Sequence, residues 1–408
     1  MVGTAKVTGL SADELVVEYL QLGLALGRHV DGFVDAYYGP EDLALRAASG
    51  APVDPAKLAG RARRLLSEVH STESMTERRR VWLAAQVRGL MTSATKLAGE
   101  EVGYLDEIEA CYGVRPAWQH EDVFADAHRR IAEALDRHAV ESPGTLAETF
   151  DAWRESHVVP PDMVLSAMRS LAEDFRARTD AMFGLPEGEH VDFEVVTAKP
   201  WSGFNFYLGG LRSRVALNVD LPVLSLSLGH IVAHEAYPGH HTEHTRKEVG
   251  LVRRNKQLEE SIFLVGTPQC LLAEGLADLA LEVVAAPAPE VVLEGHFKAL
   301  GIRYEAAPVA EVAAAGDVLS SVRGNAAIGI HDRGWSFDQA VDYVERWALT
   351  SRRRATKTVE FLTDPTWRAY PFCYIDGVRL CRSFVGGDPR KFARLLGEQL
   401  VPAELVEG

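Results

Sequence analysis

Five of the chain's 14 histidines (His230, His234, His240, His241 and His244) fall within 15 residues, and Glu235 stands beside the second of them. Imidazole and carboxylate hold zinc-type cations, and a carboxylate beside such an ion serves as a base in hydrolysis. The stretch HEAYPGHH, 234–241, begins like H-E-x-x-H. In that pattern two histidines four apart share one helix face and the glutamate is the base. Here the second histidine position is Pro238, followed by Gly239. His234, next to the glutamate, is the surest ligand. His230, four residues earlier, shares its face, but Glu235 would then follow the second ligand instead of the first. His241 also shares that face, yet lies about 10.5 Å along an ideal helix axis, a long reach for two bonds of about 2.1 Å to one ion. His240 points elsewhere on a regular helix. Pro238, however, removes a helical hydrogen bond and Gly239 relaxes the backbone. A two-residue bulge there puts His240 in the place of the second histidine. His240 is favoured over His241, and both stay candidates; the other would support the site or face substrate. His244 is expected to be solvated.

A site of this type needs a third protein ligand and an open position. The segment LLAEGLAD, 271–278, places Glu274 and Asp278 four apart on one face of an otherwise apolar helix. Acids in such a setting are costly unless paired or metal-bound. Glu274 is therefore the third ligand, and Asp278, one turn later, holds a ligand histidine by its other ring nitrogen.

The elements that must position these residues are mostly helical. Residues 12–140 read as successive helices, with Ser11 and Glu14 as a capping box, and 35–40 as a break. From 190 to 220 the chain is rich in Val, Phe, Tyr and Trp, with Gly203, Gly209 and Gly210 as punctuation, which reads as two or three short strands. A long helical pattern over about 222–247 carries the motif, and helices continue to the end. The expected fold class is mostly α, with one small antiparallel sheet next to the active-site helix. The expected organisation is an N-terminal helical lobe, 1–155, and a metal-binding lobe, 156–408.

The 408 residues carry a net charge of −15 and a pI near 5.4, which argues against a nucleic-acid partner. Cys111, Cys270, Cys373 and Cys381 are widely spaced and read as reduced thiols of a cytoplasmic protein. The first 20 residues show no secretory leader pattern, and no 18-residue apolar run predicts a membrane span.

HEAYPGHH, the AEGLAD segment at 273–278, and Tyr370-x-x-x-Tyr374-x-x-Gly377 resemble the DUF885 proteins, a family of predicted metallopeptidases. FVDAYYGP, 33–40, is similar to its short bacterial branch. The resemblance spans most of the chain and implies a gluzincin-like fold, in which a cleft divides two helical lobes. It implies one zinc per chain, held by His234, Glu274 and one of His240 or His241, with Glu235 as general base. Tyr374, then Tyr370, are the candidates for donating to the oxyanion, and Arg379 for holding a substrate carboxylate. Segments 201–207 and 215–218 become candidate strands for pairing with an extended substrate. The implied function is hydrolysis of peptide or other small amide substrates. The residues alone also leave open a non-catalytic metal- or ligand-binding protein, and a metal-free scaffold with titrating histidines.

Overall fold

The computed structural model describes residues 10–141, 144–199, 201–365 and 367–407. The leader reading of the first residues concerns, up to residue 9, a stretch outside them. The described chain is mostly helical, as its periodicity predicts. The capping box at Ser11 and Glu14 forms and opens helix Ala12–Leu26. That helix packs with Pro55–Ser71 and Glu77–Leu97 around Leu15, Tyr19, Leu58, Trp82 and Leu90. Residues of the first 155 enter all three apolar cores: Tyr19 one, Phe124 the second, Ile131 and Trp153 the third. No helix among the described residues is long and apolar enough to cross a membrane.

Among the described residues, five strands form two sheets. β1 (Val34–Tyr37) pairs antiparallel with β5 (Ile262–Leu264). The sequence reading took 35–40 as a break. Its strand is four residues long, and its partner lies more than 200 residues away, so no local alternation signals it. β2 (His190–Val196), β3 (Gly203–Gly209) and β4 (Arg212–Asn218) occupy the segment read as strands, in the order β2-β4-β3. The sheet is mixed, which corrects the antiparallel expectation. β3 and β4 form the hairpin that Gly209 and Gly210 allow by taking positive φ. β2 instead pairs parallel with β4. The chain runs back along edge strand β3 and returns as β4 between β2 and β3, in the direction of β2.

The inner face of this sheet (Val191, Val215, Leu217) packs on Leu228, Val232 and Ala233 of helix Ser225–Glu235. Helix Pro268–Val284 is buried almost throughout its length and lies against the same helix. A π-helical turn, Cys373–Gly377, crosses it at close range. A Cβ on Gly275 would stand 2.4 Å from the Gly377 carbonyl, and one on Gly377 2.5 Å from the Leu271 carbonyl. The glycine at 377 thus admits a helix backbone, not a ligand, and its crossing fixes the height of Tyr370 and Tyr374 against Glu274.

Candidate metal centre

The predicted helix 222–247 is two helices, Ser225–Glu235 and His240–Lys247, joined by Ala236–Gly239. The hydrogen bonds show how. Ala236 N–H still bonds Val232 C=O, four residues back. Gly239 N–H reaches Ala233 C=O and Thr242 N–H reaches Ala236 C=O, each six back. Two residues have been inserted into the helical ladder, after which the regular bond from Glu243 N–H to Gly239 C=O resumes. Pro238 has no N–H to lose there. His240 consequently occupies the position that follows His234 by one helical turn.

His234 Nε2 and His240 Nε2 lie 3.1 Å apart. Glu274 Oε2 is 3.4 Å from His234 Nε2, and Glu274 Oε1 is 3.6 Å from His240 Nε2. Asp278 Oδ1 stands 3.0 Å from His234 Nδ1, which assigns the ring proton to Nδ1 and turns the Nε2 lone pair toward His240 and Glu274. Glu274 Oε2 is buried with no hydrogen-bond donor, and its other oxygen accepts from the Tyr370 hydroxyl at 2.8 Å. The Tyr374 hydroxyl is 3.5 Å from that of Tyr370. Burial opposes the ionisation of Glu274, but His240 and His234 overcome it and hold its carboxyl far below the usual range. Burial likewise favours neutral His234, and Asp278 and Glu274 outweigh it, raising its pKa well above that of a free histidine. These acids draw protons into the space between the two imidazoles.

Glu235 lines the same cleft, nearly buried, with its pKa raised by that burial. Asn205 Nδ2, from β3, donates to the Glu235 carbonyl. Gly203, on the same strand, leaves room for the carboxylate: a Cβ there would meet Glu235 Oε1 at 3.1 Å. Burial raises the pKa of both Tyr370 and Tyr374 well above the phenol range, so both remain neutral donors. The cavity between these groups measures about 60 Å³. A larger groove of about 450 Å³, between Ala12–Leu26 and Pro55–Ser71 and lined by residues such as Val17 and Arg61, holds no comparable cluster.

His241 is not in the centre, which corrects its candidacy as a ligand. It is fully buried on the opposite side of its helix. Nε2 donates to Glu189 Oε2 at 2.8 Å, and Nδ1 accepts from the Ser213 hydroxyl at 2.8 Å. Both ring nitrogens are committed, so no lone pair is left for a metal. Arg379 is also corrected: it is exposed and pairs with Asp376 at 3.2 Å, away from the residues lining the cleft. His244 is buried, not solvated. It stacks on Tyr207 at 4.7 Å, and burial holds it neutral. His230 stands half-exposed, 3.5 Å from Asp278.

Two residues that sequence reasoning missed enter the site. Asp35, on β1, lines the cleft, and its carboxyl is pushed up to about 7 by burial, with Glu274 and Glu235 adding to the rise and His240 opposing it. It retains some exposed surface, at the cleft mouth. Arg323, on helix Ser321–His331, lies over the Tyr374 ring. Neither sits in a pattern that periodicity or spacing singles out.

The Glu189 cluster yields a pH prediction. Burial would raise the pKa of Glu189, but hydrogen bonds from His241 and Tyr237, with Arg176, hold it at about 2. A carboxylate depressed from its ordinary 4.5 stabilises the fold above pH 4.5 and loses that contribution as pH falls toward 2. Glu189→Gln is expected to cost on the order of 2–3 kcal/mol at neutral pH. The difference from the parent should shrink below pH 4.5 in denaturant titrations, and a constant difference would refute the assignment.

No protein-family profile and no curated protein sequence matches the chain. Solved structures that share the fold include two that align over most of this chain. One, from Colwellia psychrerythraea, is described as a "putative lipoprotein"; it is 16% identical, with 86% of this chain and 65% of that one aligned at a TM-score of 0.51. This chain therefore spans about two thirds of that protein's length. The other, from Shewanella oneidensis, is a "putative lipoprotein of unknown function", 12% identical, with 95% and 82% aligned at a TM-score of 0.50. At these identities the likeness concerns the fold alone.

Proposed function

We propose that the protein is a zinc-dependent hydrolase of peptide or other amide bonds, with no nucleic-acid or membrane partner, and that it belongs with the DUF885 proteins it resembles. One observation carries the reading. Four ligands placed tetrahedrally at about 2.1 Å from zinc stand about 3.4 Å from one another. The three facing ligand atoms of His234, His240 and Glu274 are separated by 3.1, 3.4 and 3.6 Å. Two histidines and a glutamate suit zinc by ligand type, and the donorless Glu274 Oε2 supports a missing cation.

Zinc held by these three residues would supply Lewis acidity, lowering the pKa of a water and polarising a carbonyl. The chain's own groups do the rest. Glu235 takes the proton of the attacking water and delivers it to the leaving amine. Tyr374 and Tyr370, as neutral phenols, donate to the oxygen on which negative charge develops. Asp278 fixes the His234 tautomer. The four cysteines are free and buried, which fits a reducing compartment and the proposed cytoplasmic location.

Metal analysis of protein purified without chelator tests the centre. The parent and His241→Ala should hold about one zinc per chain. His234→Ala, His240→Ala and Glu274→Ala should each lower affinity by at least about a hundredfold. A parent that takes up no added zinc would end this reading.

A further inference from the structure

Arg379 stands away from the cleft, and Arg323 is the arginine beside it. The Arg323 guanidinium lies 5.1 Å from the centre of the Tyr374 ring. That ring is 6.4 Å from the His234 ring. Two other part-buried arginines have carboxylate partners, Arg79 with Glu259 at 2.6 Å and Arg368 with Glu107 at 2.5 Å, whereas Arg80 and Arg246 bond main-chain carbonyls and Arg154 lies over the Phe150 ring. Arg323 has no hydrogen bond or ion pair among the described residues, and its Nε is buried without an acceptor. The nearest acid that acts on it, Asp278, is already engaged by His234 and His230. Burial draws the arginine's pKa down.

A guanidinium only part-exposed to water, its Nε buried without an acceptor and no counter-charge beside it, is left with unmet hydrogen-bonding capacity, at a cost. The ring beneath it offsets part of that cost. What its planar fork lacks is an anion with two parallel oxygens, and a carboxylate fits it in that geometry. One residue of extended peptide spans about 3.3–3.6 Å. A substrate whose scissile carbonyl sits between Glu235 and the tyrosines thus brings its terminus past the Tyr374 ring within one or two residues.

We infer that Arg323 receives the free carboxylate of the substrate, so that the enzyme trims one or two residues from the carboxyl end of peptides, or cleaves amides with a carboxylate at the same distance. This rests on the hydrolase reading above. Arg323 is then a specificity-determining residue. A guanidinium that only braces Tyr374 would affect all substrates alike, whereas one that binds a carboxylate affects only those that carry it.

The test separates recognition from turnover. Zinc-loaded Glu235→Gln protein is titrated with a pool of N-acetylated tetrapeptides varied at the last two positions, as free acids and as carboxyl-terminal amides. The free acids should bind about ten- to a hundredfold more tightly. Adding Arg323→Met should erase the preference by weakening the acids alone, and Arg323→Lys should restore only part of it. Equal affinity for the two pools, including none for either, overturns the inference on protein that needs no change at Arg323. The parent protein is incubated with the same pools in parallel and its products weighed by mass spectrometry. Carboxylate preference without turnover would keep Arg323's role and sink the hydrolase reading. Internal cleavage of both pools at similar rates would keep the hydrolase and sink this inference.

Discussion

Zinc-loaded Glu235→Gln is expected to retain its metal and lose about 10²–10⁴-fold in kcat/KM for peptide hydrolysis. The substitution keeps the size of the side chain and its place beside Gly203, where the strand leaves room for it. It removes only the capacity to take a proton. The bond from the Asn205 side-chain amide to the Glu235 main-chain carbonyl is indifferent to the change, so the helix end that presents His234 stays anchored. The metal ligands belong to other residues, and their zinc content should match the parent's within error. Turnover with a pooled peptide substrate, read by mass spectrometry, and metal content are measured on the same preparations. Full activity in the variant would remove Glu235 from the role of base. Loss of zinc would mean instead that the glutamate holds the centre together.

Gly239→Ala is expected to have the largest effect of any substitution that touches no ligand. A Cβ at this position would stand 1.9 Å from the His234 carbonyl oxygen and 2.6 Å from that of Ala233. Both are main-chain atoms, so relief requires moving the backbone that carries His234. The inserted pair of residues closes on itself through Gly239 N–H to Ala233 C=O, and the methyl group pushes that closure apart. Overpacking of this kind costs about 3 kcal/mol or more. The distance between His234 and His240 grows with it, so zinc affinity should fall together with Tm. Gly250→Ala is the control, because a Cβ there meets nothing within 4 Å; its Tm should stay near the parent's and its zinc content should not change. A Gly239→Ala protein with the parent's Tm and zinc content would show that the break is softer than its contacts indicate.

How much of this was legible in the sequence depends on how far each residue's partner lies along the chain. The i, i+4 spacing of Glu274 and Asp278 survives folding because both lie on one regular helix, and Asp278 does reach His234 Nδ1. The role of Pro238 and Gly239 was legible because their backbone chemistry is local: the two-residue insertion follows from a missing N–H and a missing Cβ. The choice between His240 and His241 needed the phase of the restarted helix, and that phase is set by where the ladder resumes. The pocket that takes His241 is built from Ser213 on a strand and Glu189 in the Pro-Glu-Gly-Glu loop, neither of which the motif's spacing points to. The parallel pairing of β2 with β4 depends on the second strand of the hairpin, not the first, docking on β2, and no residue type marks it. Asp35 lines the cleft from a four-residue strand and Arg323 reaches the Tyr374 ring from a helix rich in Gly and Ala, and their chemistry appears only when distant segments meet.

The cleft that holds the centre gathers Asp35, Glu235 and Glu274, in a chain of net charge −15. Burial raises Asp35 to about 7 and raises Glu235 as well, so the negative potential at the recess comes from Glu274 and the chain's overall charge, and strengthens as pH rises and Asp35 ionises. The recess therefore acts as an electrostatic funnel for divalent cations, and metal capture should be fast at low ionic strength and slow as salt screens the field over about 10 Å at 0.1 M. The same field repels strongly acidic chains before any contact is made. In the hydrolase proposed above, discrimination among peptides would then begin in solution, by the charge of the whole approaching segment, well before Tyr374 or any other side chain of the cleft is reached.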